Sequence, residues 1–198
     1  PADQQWKWQV VQTCEGSICN DGACQSACEV NLKENTYLGC DYWAVDLDNV
    51  EGGEFQPVAV VVSVPSEEAA DAEITFTDRS SIPPTQLTPV ELDVDDMLVP
   101  PGGLKVFMLP TGKDVDGSVH TSKSFQITST APVTVHQFNP LNGSMVFTTD
   151  ASPLLPSNGG GQESYVMAWP MRSQEYMPRG FAAVVATQPG TANAHIWP

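Results

Sequence analysis

Beyond residue 40 the chain alternates short apolar runs with polar positions at a period of two, which is the pattern of strands with one face in water. The run Ala72–Thr77 shows it plainly: Ile74 and Phe76 share one face, and Glu73, Thr75 and Thr77 share the other. The same reading predicts strands over Trp43–Leu47, Pro57–Val64, Val90–Val94, Leu104–Leu109, Ser124–Thr128, Val133–Phe138, Met145–Thr148, Tyr165–Trp169, Phe181–Thr187 and Thr191–Trp197. Pro and Gly clusters separate them, including Glu51-Gly52-Gly53, Pro100-Pro101-Gly102-Gly103 and Asn158-Gly159-Gly160-Gly161. No helical periodicity competes. The expectation is an all-β fold, an antiparallel β-sandwich in preference to a barrel.

Three regions are expected: a Cys-rich N-terminal segment at 1–40, a β-sandwich module at 41–160, and a stretch at 161–198. The last either starts a second, truncated β module or supplies strands that complete the first. The second-module reading rests on a weak echo, since Phe55 to Val62 leading to Ala72-Glu73-Ile74 resembles Phe181 to Thr187 leading to Ala194-His195-Ile196.

The chain has 198 residues with 41% hydrophobic content, enough for one good core. Its 24 acids against 8 bases give a net charge of −16, which repels nucleic-acid backbones and anionic lipid alike. The longest aliphatic run, Val58 to Val62, is strand-sized, so no direct membrane insertion is expected. The chain opens at Pro1, and a signal peptide is expected to have been removed or left out.

Cysteine adds a compartment. Cys14, Cys19, Cys24, Cys28 and Cys40 all fall in the first forty residues, spaced without the C-x2-C pairs of a zinc site and far from His120, His136 and His195. Two local disulfides and one spare cysteine are expected, with fifteen connectivities open, and the location that follows is extracellular or cell-surface. The spare cysteine points to an intermolecular bridge, a buried free thiol or a partner upstream.

Catalytic signatures are missing: there is no Gly-x-Ser-x-Gly, no His-Glu-x-x-His and no Lys after the glycines at 159–161. The chain is therefore expected not to be an enzyme. His136 reads as a sheet-surface residue and His120 as a loop residue. No cofactor is required, and Ca²⁺ is the one candidate, because clustered carboxylates and amides supply the oxygen ligands that hard cations take. Three clusters qualify: Asp46/Asp48/Asn49, Asp93/Asp95/Asp96 and Asp114/Asp116. None fits an EF-hand loop, and solvated strand edges that resist edge-to-edge pairing are the preferred reading. The best cation candidate is Asp46, Asp48 and Asn49. Gln137 and Asn139 are expected to satisfy loop backbone groups in preference to touching a ligand. Trp43 and Trp169 are expected in the core, while Trp6 and Trp8 could stack on a sugar or face a partner.

Three motifs together carry a resemblance: Gly39-Cys40-Asp41-Tyr42-Trp43-Ala44-Val45-Asp46-Leu47-Asp48-Asn49, then Gln137-Phe138-Asn139-Pro140-Leu141-Asn142, then Asp150 to Ser157. Over about Cys14 to Ile196 the chain resembles the IgGFc-binding-protein N-terminal domain family, found in secreted and cell-surface proteins of myxobacteria-like bacteria and in animal mucus proteins. The resemblance implies a bacterial member of that family with a doubled β organisation and further cysteines upstream, so that this chain is a fragment. The family's name suggests Fc binding, but that label is not carried to this chain on resemblance alone, because no motif here explains Fc recognition. The expected role is an adhesion or binding module with a protein or glycan partner at the cell surface or matrix. The alternatives are a structural subunit of a surface layer or filament, by self-association, and a calcium-dependent glycan-binding module.

Overall fold

A computed structural model describes residues 13–14, 17–31, 36–47, 49, 53, 55–67, 69–80, 88–89, 96–142, 149–157 and 182–187. Among them the strands are β1 (Ile18–Asn20), β2 (Ala23–Gln25), β3 (Gly39–Ala44), β4 (Ala59–Ser63), β5 (Ala72–Asp78), β6 (Thr88–Pro89), β7 (Leu98–Val99), β8 (Leu104–Met108), β9 (Phe125–Asn139) and β10 (Asp150–Pro153). One short helix, α1 (Ala27–Asn31), lies between β2 and β3. Every ladder is antiparallel, and the fold is all-β.

Strand β9 organises the molecule. Its first part, Phe125 to Ser129, pairs with β5 and with β3, which also reaches Val133 through Gly39, and its last part, Thr134 to Asn139, pairs with β4 and β10. Outward from these, β6 and β7 extend β5, and β8 extends β4. One strand thus belongs to two sheets, as at the corners of sandwiches where a strand bends from one layer into the next. The two layers face each other across a common core: the rings of Phe76 on β5 and Phe107 on β8 lie 5.1 Å apart. Tyr42, Ala44, Ile74, Phe125 and Ile127 complete one wall, and Val60, Val62, Val133 and Val135 the other. Each such Val, Ile or Phe contributes about 1.5–3 kcal/mol by leaving water.

The sequence predicts two strands, Ser124–Thr128 and Val133–Phe138, where β9 is one; Pro132 lies in the interval between them. Pro132 sits between Ser129, the last residue paired with β5, and Val133, where pairing with β3 resumes. Beside it the Ser129 hydroxyl accepts from the Ala131 N–H (3.3 Å) and donates to the Ala131 carbonyl (2.6 Å), so the bend satisfies its own polar groups.

The N-terminal part also holds structure that alternation did not reveal. Asp21 and Gly22 both adopt positive φ, 51° and 78°, and join β1 to β2 as a two-residue hairpin loop. Ser26 and Glu29 form a reciprocal cap on α1: the Glu29 N–H donates to the Ser26 hydroxyl (3.1 Å), and the Ser26 N–H donates to the Glu29 carboxylate (2.8 Å). Disulfides join Cys14 to Cys24 and Cys28 to Cys40, the second tying α1 to β3.

Other expectations change. The strand expected at Trp43–Leu47 runs instead from Gly39 to Ala44, and Trp43 stands outside the core: Tyr42 and Ala44 occupy the inward positions, so Trp43 is turned outward, its ring 5.4 Å from the Arg79 guanidinium carbon. Residues 182–187 form no strand, and Val184 is 69% exposed, because no described strand lies alongside to pair with them. The strands expected at Val90–Val94, Met145–Thr148, Tyr165–Trp169 and Thr191–Trp197 lie outside the described residues, as do Trp6, Trp8, Trp169 and His195.

Candidate functional site

The first and second resemblance motifs meet at one end of the sandwich. Past Ala44 the chain leaves its ladder yet stays extended, and the inward-pointing amides of β9 take over the pairing. The Val45 N–H donates to the Gln137 side-chain oxygen (3.1 Å), and the Gln137 amide donates to the Val45 carbonyl (2.7 Å). The Asn139 amide donates to the Leu47 carbonyl, and the Asn49 amide donates to the Asn139 carbonyl (2.8 Å). Gln137 and Asn139 therefore serve loop backbone groups, as their position in the sequence suggests. Both are buried, which leaves them no water to bond instead. The peptide bond from Asn139 to Pro140 is cis.

Asp46 lies in the midst of this arrangement and differs from its expected role as a solvated edge acid. It continues the inward parity of Tyr42 and Ala44 and is only 6% exposed. Its carbonyl accepts from the Val115 N–H (2.8 Å), and Leu47 forms a parallel bridge with Val115, which brings the loop holding Asp114 and Asp116 against it. Burial pushes the Asp46 carboxyl up to about 6; the Asp114 carboxylate adds to the rise and Lys123 opposes it. Lys123 is held in place by donating to the Asp114 carbonyl (2.7 Å).

Of the candidate cation ligands, then, Asp46 is buried beside Asp114, the Asn49 amide is turned to Asn139, and Asp48 lies outside the described residues. No group of three or more His, Cys, Asp or Glu able to hold a metal occurs among the described residues. Asp93 and Asp95 also lie outside them. Asp96 caps the Leu98 N–H (2.9 Å) and pairs with Lys105 at 3.2 Å; that backbone bond, then Lys105, holds its carboxyl below the usual range. His120 and His136 are both exposed, His136 on the outer face of β9.

A second network covers the outward side of β3. Ser157 and Gln126 both donate to the Asp41 carboxylate, at 2.6 and 2.7 Å, and Arg79 donates to the Gln126 side chain. The third motif enters here, since the Ser157 N–H donates to the Asp41 carbonyl (2.8 Å) and Pro156 packs on Gly39. A Cβ at Gly39 would stand 2.4 Å from the Pro156 Cβ, so this position excludes any side chain. The sequence pointed to none of these contacts, whose hydrogen bonds join residues 47 to 116 positions apart.

The cysteines resolve to Cys14–Cys24 and Cys28–Cys40, with Cys19 free and exposed. No described helix is long and apolar enough to cross a membrane. Compared with known protein families, with curated proteins and with solved structures, the chain matches none, and the likeness to IgGFc-binding proteins gains no support there.

Proposed function

We propose that the chain is an extracellular or cell-surface binding or adhesion module that performs no catalysis. The observation that carries this reading is the pair of disulfides at the edge of an all-β body, because such crosslinks persist where the surroundings are oxidising. The acidic surface keeps copies apart from nucleic acid and anionic lipid, which leaves protein or glycan as the partner. The side-chain amides of Gln137, Asn139 and Asn49 that could pass for a site serve the chain's own backbone. An array of extracellular proteins and glycans, probed with the labelled chain, is expected to show saturable binding to one class. Blank arrays together with turnover on a hydrolase panel would replace a binding module with an enzyme.

A structural subunit is the second reading, and β8 favours it. Among the described residues β8 pairs only with β4, and its Leu104, Val106 and Met108 are exposed. An unpaired edge with an apolar row is a template for a strand of another copy.

A further inference from the structure

The free thiol of Cys19 sits directly opposite a cysteine that is already bonded. In a two-residue hairpin loop with positive φ at both positions, the flanking pair exchanges both backbone bonds; here that pair is Asn20 and Ala23. The next pair, Cys19 and Cys24, then falls at a non-hydrogen-bonded position, where facing Cα atoms stand about 4.5 Å apart and the side chains share one face. That spacing lies within the range of about 4.4–6.8 Å that a disulfide spans. Cys24 is nevertheless bonded to Cys14, at a Cα–Cα distance of 5.4 Å. The site is thus three sulfurs with one shared member, not a single exposed thiol.

We propose that Cys14, Cys19 and Cys24 form an intramolecular thiol–disulfide exchange site, in which Cys19 and Cys14 alternate as the partner of Cys24. Cys19 loses its proton to solvent, and its thiolate attacks the Cys24 Sγ. The Cys19–Cys24 bond forms as the Cys14–Cys24 bond breaks, and the electron pair leaves on the Cys14 Sγ, which takes up a proton. Nothing is oxidised or reduced overall, so no co-reactant is needed. Two consequences follow. The thiol presented to a partner moves from the exposed hairpin to the half-buried Cys14, and the segment before β1 is released from β2. The Cys28–Cys40 bond holds α1 to β3 throughout, so the body of the sandwich is unaffected. The exchange holds whether or not the module is an adhesin.

The Cys14→Ser variant tests it. With Cys14 gone, Cys19 is expected to take over Cys24, so that the unreduced, denatured variant titrates no free thiol and peptide mapping finds a Cys19–Cys24 crosslink. Alkylation of both Cys19 and Cys24 in that variant would overturn the proposal. In the wild type, iodoacetamide added after long incubation near about pH 8.5, the ordinary thiol pKa, is expected to label Cys14 as well as Cys19. Label confined to Cys19 at every incubation time would equally refute the exchange. Cys19→Ser keeps Cys14–Cys24 and takes up no label, which serves as the control.

Discussion

Gln137 completes both backbone hydrogen bonds of Val45, accepting from its N–H and donating to its carbonyl across 92 positions of sequence. One side chain here does the work of a strand residue, and it does so from inside the sandwich. Replacing it with Leu leaves the N–H and carbonyl of Val45 without these partners in a part-buried place, where water replaces them only in part. Gln137→Leu is expected to lower stability by about 2–4 kcal/mol, read as a fall in the urea midpoint. A loss below about 0.5 kcal/mol would mean that Val45 finds other partners.

Asp46 makes stability depend on pH. Its folded pKa lies near 6 and its ordinary value is 3.8, so between those values the folded state binds more protons than the unfolded one. Its favourable contribution is complete below about pH 4 and is lost as pH rises through about 6. Asp46→Asn is therefore expected to gain about 1–3 kcal/mol at pH 7.5 and to flatten the slope between pH 4 and 6. Urea midpoints across that range check it; an equal slope in both proteins would assign the titration elsewhere.

Calcium separates plain charge burial from a cation site. No group of three or more metal-binding side chains occurs among the described residues, and on that ground equal melting temperatures in Ca²⁺ and in EDTA are expected. A stabilisation of about 2.7 kcal/mol at a hundredfold excess over Kd, absent in Asp46→Asn, would instead place a cation on Asp46.

Tyr42 and Gly39 form a close-packed joint. The Tyr42 hydroxyl lies 2.7 Å from the Tyr37 carbonyl and 2.5 Å from the Val133 carbonyl, and burial holds its pKa well above the ordinary phenol value, against a lowering contact with the Gly39 backbone. Tyr42→Phe is expected to cost about 1–3 kcal/mol. Gly39→Ala drives a methyl into Pro156 and is expected to cost about 1–3 kcal/mol as well. Because the two sites touch, the double variant should lose less than the sum, and strict additivity would show them to be independent.

The exposed row on β8 gives a prediction about assembly. Val106→Lys places a charge on the strand that pairs only with β4 among the described residues, and is expected to shift any oligomer to monomer without altering the melt. Sedimentation at rising concentration measures it, and unchanged association would remove β8 from the contact.

How far the fold could be read ahead depended on whether one parity of a strand was polar. In β5 it was: Glu73 and Thr75 marked the wet side, and Ile74 and Phe76 are buried as expected. In β3 both parities carry apolar residues, so Trp43, Val45 and Leu47 looked as eligible for the core as Tyr42 and Ala44. What decides is long-range, namely the carbonyl of Val133 waiting for the Tyr42 hydroxyl. The same choice carries Asp46 inside, against the rule that acids face water. The N-terminal elements had local signals that alternation does not register: Asp21-Gly22 for the hairpin and Ser26 with Glu29 for the helix. The role of Gln137 and Asn139 was legible from the polar residues at a strand end, whereas their partners were not.

Because β9 is common to both layers, the module has no seam. The layers are joined through one strand: β5 pairs with its first part, β4 and β10 with its last, and β3 with both Phe125–Thr128 and Val133. Losing the partners of either end of β9 would uncover the apolar wall of the opposite layer, so each half of the body depends on the other for its burial.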